Sequence, residues 1–286
     1  GGFDETFVPA YCEDSDFAFR CRAAGYEILL QPASQVIHHE GVSHGRDTSG
    51  GIKAYQERNQ KMLIARHLAA LERDCFPDGT NLFLARDRSR AKPHILIVDH
   101  YVPQPDRDAG SRTIFQIVRL LTEAGYQVHF WPDNLHYDRP NARLLQDMGV
   151  EVLYGPQLSG RFADWMKVAG PHLSHVLLSR PDVAARYLAD VRAHTRAPIS
   201  YYGHDLHFAR LELEHRTSGR PEIGDEAARL KALETQVWSK VDTVFYPTQD
   251  EIDIVRRMAP DIVADVMPAF AFNPGELAAA DAAAPA

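Results

Sequence analysis

Cysteine is scarce in this chain. Three occur in 286 residues, Cys12, Cys21 and Cys75, and no two share a Cys-x-x-Cys spacing. An odd, scattered set argues against a disulfide framework or a thiolate zinc site and fits the reduced thiols of a cytosolic protein. Long apolar runs are missing as well. No stretch approaches the roughly 18 residues that cross a bilayer. The first residues, Gly1-Gly2-Phe3-Asp4-Glu5, hold no basic segment followed by an apolar one, so no secretory signal is read. Basic residues are outnumbered, 31 against 39 acidic, and scattered rather than striped. A nucleic-acid partner, which needs a basic face, is therefore not expected. Nor is there a Gly-x-Gly-x-x-Gly, which removes the usual fingerprint of nicotinamide and flavin enzymes, sugar epimerases and dehydrogenases among them.

What is present is the composition of a globular protein, 45% hydrophobic and 24% charged, long enough for one large domain or two modest ones. From about residue 93 the apolar period alternates between strand and helix. His94-Ile95-Leu96-Ile97-Val98-Asp99 is a short continuous apolar run, as in a strand covered on both faces. Gly110-Ser111 then opens a helix with Ile114, Ile117, Val118 and Leu121 on one face, closed by Gly125. Further strands are predicted at 128–131, 151–154, 175–178, 198–202 and 243–246. Helices are predicted near 141–148, 161–169, 182–194 and 225–239. This order implies right-handed βαβ units and a parallel, Rossmann-like sheet. Before it, helices are expected at about 14–24 and 52–73, with short strands. The predicted organisation is 1–75 as one piece, 76–92 as a linker marked by Pro77-Asp78-Gly79-Thr80 and Arg86-Asp87-Arg88-Ser89-Arg90, 93–273 as the α/β domain, and 274–286 as a disordered tail.

Two groups of residues carry chemistry. The first is Gly1-Gly2-Phe3-Asp4-Glu5-Thr6-Phe7, then Glu13-Asp14-Ser15-Asp16-Phe17 and Arg20, Gly25-Tyr26, Pro32 and His38-His39-Glu40-Gly41-Val42-Ser43. Three carboxylates in four residues are costly to place together unless a cation or proton uses them. Asp16 and Arg20 have the i, i+4 spacing of a helical ion pair. His39-Glu40-Gly41-Val42-Ser43-His44 is one residue too long for a His-Glu-x-x-His zinc site, because positions five apart diverge by about 140° on a helix. Taken together, the stretch resembles the C-terminal third of the catalytic domain of a family 2, GT-A type glycosyltransferase. The resemblance implies Asp14 as the base that takes the acceptor proton, Glu13 as its neighbour, Gly1 and Gly2 in a loop near donor and acceptor, and His38 at the site of a divalent metal, Mg or Mn. The family's nucleotide-binding strands and metal-binding Asp-x-Asp belong upstream of these residues. An isolated Glu13-Asp14 at a helix start could instead complement the helix dipole.

The second group is Asp99-His100-Tyr101-Val102-Pro103 through Pro105-Asp106-Arg107-Asp108-Ala109-Gly110-Ser111-Arg112. Here a strand ends and a helix begins, and free N–H groups at Gly110 and Ser111 suit an anion or a sugar hydroxyl. With Tyr201-Tyr202-Gly203-His204-Asp205-Leu206-His207, Glu234, Asp242-Thr243-Val244 and Thr248-Gln249-Asp250-Glu251, the stretch resembles the N-terminal domain of a family 4, GT-B type glycosyltransferase. That implies an acceptor-side role for His204 and Asp205. Asp106, Arg107 and Asp108 equally suit a solvated turn, and His204 and Asp205 a structural cap.

The expectation is thus an internal fragment of a bifunctional cytoplasmic glycosyltransferase, at most at the inner face of the membrane. It would move a sugar from a nucleotide-diphosphate sugar to a glycan or polysaccharide acceptor. It is expected to be inactive without its flanking domains, and no cofactor is certain for the fragment itself. The alternative is a non-catalytic Rossmann-like binding or scaffold module.

Overall fold

A computed structural model of the chain describes residues 2–29, 34–37, 54–77 and 79–270. Gly1 and His38 lie outside the described residues, as does the whole 274–286 tail. The chain divides into two compact units, Gly1–Ala91 and Lys92–Ala286.

In the first unit a single turn of 3-10 helix, Glu5–Phe7, precedes α1 (Glu13–Ala23), α2 (Ala54–Asp74) and the short α3 (Leu82–Ala85). No strand occurs among its described residues. Helix α1 places Glu13, Asp14 and Asp16 in its first turn and Arg20 and Arg22 in its last, the arrangement the helix dipole favours. Two of its buried polar side chains, Asp16 and Asn59, each bind several partners. Asp16 is fully buried; Arg20 Nε lies 2.7 Å from its Oδ2, with Arg66 NH1 at 3.0 Å and His67 Nε2 at 2.8 Å from its Oδ1. Helix α2 loses helical geometry at His67, the residue whose ring reaches Asp16. The buried Asn59 Nδ2 lies 2.9, 2.8 and 3.2 Å from the carbonyl oxygens of Phe7, Ala10 and Tyr11. It supplies donors to a turn that has no ladder of its own. The stretch expected to be a linker, 76–92, carries local structure among its described residues. It contains α3, whose Phe83 is buried, and Ser89 Oγ donates to the Leu84 carbonyl at 3.1 Å.

Among the described residues the second unit is built on a seven-stranded sheet, every pairing parallel, in the order β3-β2-β1-β4-β5-β6-β7. The strands are β1 (His94–Asp99), β2 (Gln127–Pro132), β3 (Glu151–Val152), β4 (Leu173–Ser179), β5 (Ile199–Tyr202), β6 (Thr243–Tyr246) and β7 (Ala264–Val266). The helices are α4 (Ala109–Glu123), α5 (Arg139–Asp147), α6 (Phe162–Ala169), α7 (Pro181–His194), α8 (His207–Ser218), α9 (Pro221–Trp238) and α10 (Gln249–Met258). On one face of the sheet Ile114 and Val118 of α4 and Ala142 and Leu145 of α5 pack on Ile95, Ile97, Val128 and Phe130. On the other, Met166 of α6, Leu188 and Val191 of α7, Trp238 of α9 and Ile252 of α10 pack on Leu96, Val98, Leu178 and Tyr201. Coverage of both faces explains why all six residues of β1 are buried. The protein is therefore an α/β Rossmann-like fold, as its alternating periods imply. The chain builds outward from β1 to β3, then returns to start β4 on β1's other side. The C-terminal ends of β1 and β4 consequently flank the point where the strand order reverses, which in open α/β sheets is where ligands bind.

Candidate functional site

Three loops meet at that reversal. The loop after β1 runs from Asp99 into α4, the residue after β4 is Arg180, and His204 follows β5. Asp99 is buried at 1% exposure, where an unaided carboxylate would not ionise. Its Oδ1 accepts from the backbone N–H of His100 at 2.8 Å and from Arg180 Nε at 2.9 Å, and lies 3.0 Å from the His100 ring nitrogen. Burial pushes the Asp99 carboxyl up, but the His100 contact and the Arg180 charge outweigh it and bring the group down to about 2. His204 is governed by burial, which disfavours its cation despite the facing Asp99, and drops to about 4. At neutral pH its ring is uncharged, with Nε2 2.8 Å from Ser179 Oγ.

Arg180 and His204 both have positive φ, +62° and +63°, a backbone state that costs a non-glycine residue about 1 kcal/mol or more. In both cases the strained residue directs its side chain to the same spot. That spot is bounded by Gly110: a Cβ there would lie 2.8 Å from Arg180 NH2 and 3.3 Å from His204 Nδ1. A side chain at 110 would therefore displace the Arg180 guanidinium and crowd the His204 ring, and Gly110 and His204, read separately in the sequence, are neighbours. Gly203 is required for a different reason, since a Cβ would collide with the Tyr246 ring.

Other candidates have duties within the fold. Helix α4 begins at Ala109, one residue before the predicted opening, because Asp108 is its N-cap. Asp108 accepts from the Ser111 N–H and hydroxyl, both at 2.7 Å, and from the Tyr101 hydroxyl at 2.6 Å. Ser111 therefore spends its hydroxyl on the cap, and Asp108 is no solvated turn residue. Asp205 is partly exposed and pairs with Arg210 Nε at 3.0 Å and His207 Nδ1 at 3.2 Å. Burial disfavours the His207 cation, but the Glu234 and Asp205 carboxylates prevail and hold its pKa above the ordinary value. Arg180 was not singled out by sequence reasoning. Its one signal is its place, a lone cation between a strand and Pro181.

In the first unit, Asp14 sits exposed at the start of α1, and its Oδ1 accepts from its neighbour's backbone, Ser15 N–H, at 2.6 Å. Glu13 Oε2 is buried with no hydrogen-bond partner among the described residues. Gly2 is exposed, and its carbonyl accepts from Arg20 at 2.8 Å. Asp14 and Asp16 are two apart like an Asp-x-Asp, but Asp16 is buried in its ion network while Asp14 is exposed. No group of three or more His, Cys, Asp or Glu among the described residues could hold a metal. The described donors thus do not by themselves fit a divalent cation.

No family model matches the chain. Two curated relatives do, over a short stretch. Both are N-acetylglucosaminyl-diphospho-decaprenol L-rhamnosyltransferases of Mycobacterium tuberculosis, from strains CDC 1551 / Oshkosh and ATCC 25618 / H37Rv. Each is 36% identical over 67 residues, covering 23% of this chain and 22% of the relative. The chain thus matches about a fifth of the length of these relatives, and over that stretch it is related to glycosyltransferases. Similar solved structures include the GsuK RCK domain, at 21% identity and TM-score 0.30 over 49% of this chain and 26% of that one. The GsuK channel bound to NAD follows at 15% identity and TM-score 0.27, over 71% and 34%. At scores this low neither bears on function. No described helix is long and apolar enough to cross a membrane.

Proposed function

We propose that the chain is part of a glycosyltransferase that moves a sugar from a nucleotide-diphosphate sugar to a glycan acceptor. In this reading the second unit is the acceptor-side domain of a GT-B type enzyme, and the crevice between β1 and β4 is its ligand site. The observation that carries it is the convergence of Arg180, His204 and Gly110 at the strand-order reversal, with two backbones strained to achieve it. The short rhamnosyltransferase match supports the sugar chemistry. The first unit is read as the acceptor edge of a GT-A site. There Asp14, exposed at the start of α1, is the base that would take the proton from the attacking hydroxyl, with Glu13 beside it. A divalent metal, if one serves that site, would balance charge on the leaving diphosphate. His38 is the donor this reading nominates for it.

Neutral sugars test the reading of the crevice. Amide shift mapping of the whole chain with methyl glycosides of rhamnose and N-acetylglucosamine is expected to move Gly110, Arg180 and His204 together. Gly110→Val, whose side chain would meet Arg180 and His204, is expected to abolish those shifts while leaving the rest of the spectrum in place. Shifts confined to other surfaces, or unaltered in Gly110→Val, would overturn it.

A further inference from the structure

The crevice holds spare hydrogen-bond donors. Its two carboxylates are already engaged: Asp99 Oδ1 accepts from the His100 N–H and Arg180 Nε, and Asp108 accepts from Tyr101, Ser111 N–H and the Ser111 hydroxyl. Arg180 is less fully used. Of the five N–H groups on the Arg180 guanidinium, only Nε–H has a hydrogen-bond partner among the described residues. The remaining edge faces the Gly110 position, with NH2 only 2.8 Å from where a Cβ would stand. His204 Nδ1 faces the same position, 3.3 Å from it, while its Nε2 is engaged by Ser179. Arg180 is 23% exposed, so its free edge is partly desolvated and gains from a partner. A ligand that completes this arrangement has to bring acceptors, and a planar fork of donors matches an oxyanion best.

We infer that the β1–β4 crevice binds a phosphoryl group of its ligand through the free edge of Arg180, with Asp99 as the positioning residue that aims it. This rests on the crevice being the ligand site, as proposed above, and adds the chemical class of what it holds. Asp99 sets the orientation because it holds Nε at 2.9 Å and leaves the terminal nitrogens without a hydrogen-bond partner among the described residues. The facing groups are Asp99, Asp108, His100 and His204. The Asp108 charge opposes an anion, but three donors already disperse it, and His204 is uncharged at neutral pH. The phosphoryl group could belong to a phosphorylated acceptor or to the diphosphate of a nucleotide, and the same Arg180 edge would serve either.

The test is calorimetric titration of the whole chain with inorganic phosphate, pyrophosphate and uridine diphosphate. All three variants, Arg180→Gln, Arg180→Lys and Asp99→Asn, are run beside the native protein. Binding that falls roughly 10- to 100-fold in Arg180→Gln is expected, the range of a charge-assisted contact. Arg180→Lys keeps the charge but loses the fork and should recover only part of it. Asp99→Asn keeps the guanidinium yet should weaken binding several-fold, which a purely structural Asp99 would not do once the variant is shown to be folded by its amide spectrum. Pyrophosphate binding as tightly as the nucleotide would assign the group to the acceptor, and much tighter nucleotide binding would assign it to the donor. Anion binding that is absent, or unchanged in Arg180→Gln, overturns the inference. If the neutral glycosides still shift Gly110 and His204, the ligand site stands and only its phosphoryl class falls. If they do not, both fall.

Discussion

A carboxylate as buried as Asp99 survives as an anion only because donors surround it, and the consequence is measurable as stability. Its folded pKa, about 2, lies below the ordinary 3.8. A depressed carboxylate contributes stability that is fully present above the unfolded value and is lost as pH falls through the folded one. The window is therefore pH 4 down to 2, and the contribution is on the order of 2 kcal/mol. Asp99→Asn should destabilise the second unit at pH 7 by about 2 kcal/mol, because it leaves Arg180 beside a neutral group. The gap between variant and native protein should shrink by roughly 1 kcal/mol between pH 7 and pH 3, as the carboxyl protonates in the unfolded chain while it is still ionised in the folded one. Urea unfolding at the two pH values measures both. A gap that stays constant across them would show that Asp99 carries no such shift. At this scale the sequence was only half legible. Gly110 and His204 are visible as residue types in telling places. Arg180 is not, because its meaning depends on β4 lying beside β1, which no local pattern states.

Elements were legible where their signals are local. β1 announces itself as a continuous apolar run, and α4 by Ile114 and Val118 one turn apart with Gly125 at φ +86° beyond its end. β3 is shorter than predicted, ending at Val152, and the two elements at the end of the sheet, α10 and β7, were not predicted as elements. For α10 the signal was present. Thr248 Oγ1 accepts from Glu251 N–H at 3.4 Å while Glu251 Oε2 accepts from Thr248 N–H at 3.1 Å, a capping box written as Thr-x-x-Glu. Helix α8 is different. Only Phe208 of its residues is buried, and the Phe208 N–H is met by Glu234, 26 residues away on α9, at 3.4 Å. A start set by so distant a residue cannot be read from the neighbouring sequence. Thr248→Ala should cost about 1 kcal/mol by removing the α10 cap. Thermal unfolding checks it; an unchanged midpoint would mean that packing of Ile252 and Val255 alone sets where α10 begins.

At the scale of the whole molecule, the chain holds two units with different modes of stabilisation. The first depends on polar hubs, Asp16 and Asn59, each serving several partners; the second on two apolar layers around a parallel sheet. The sheet's topology makes one location special, the reversal between β1 and β4, and Arg180, His204 and Gly110 converge there. Hydrogen–deuterium exchange of the whole chain with and without N-acetylglucosamine 1-phosphate, a probe that carries both groups, tests that location most directly. If the crevice is the ligand site, exchange should slow at 99–112, 179–181 and 203–206 together, and stay unchanged over β6, β7 and α10. Protection that falls elsewhere, or reaches only one of these three loops, would contradict it.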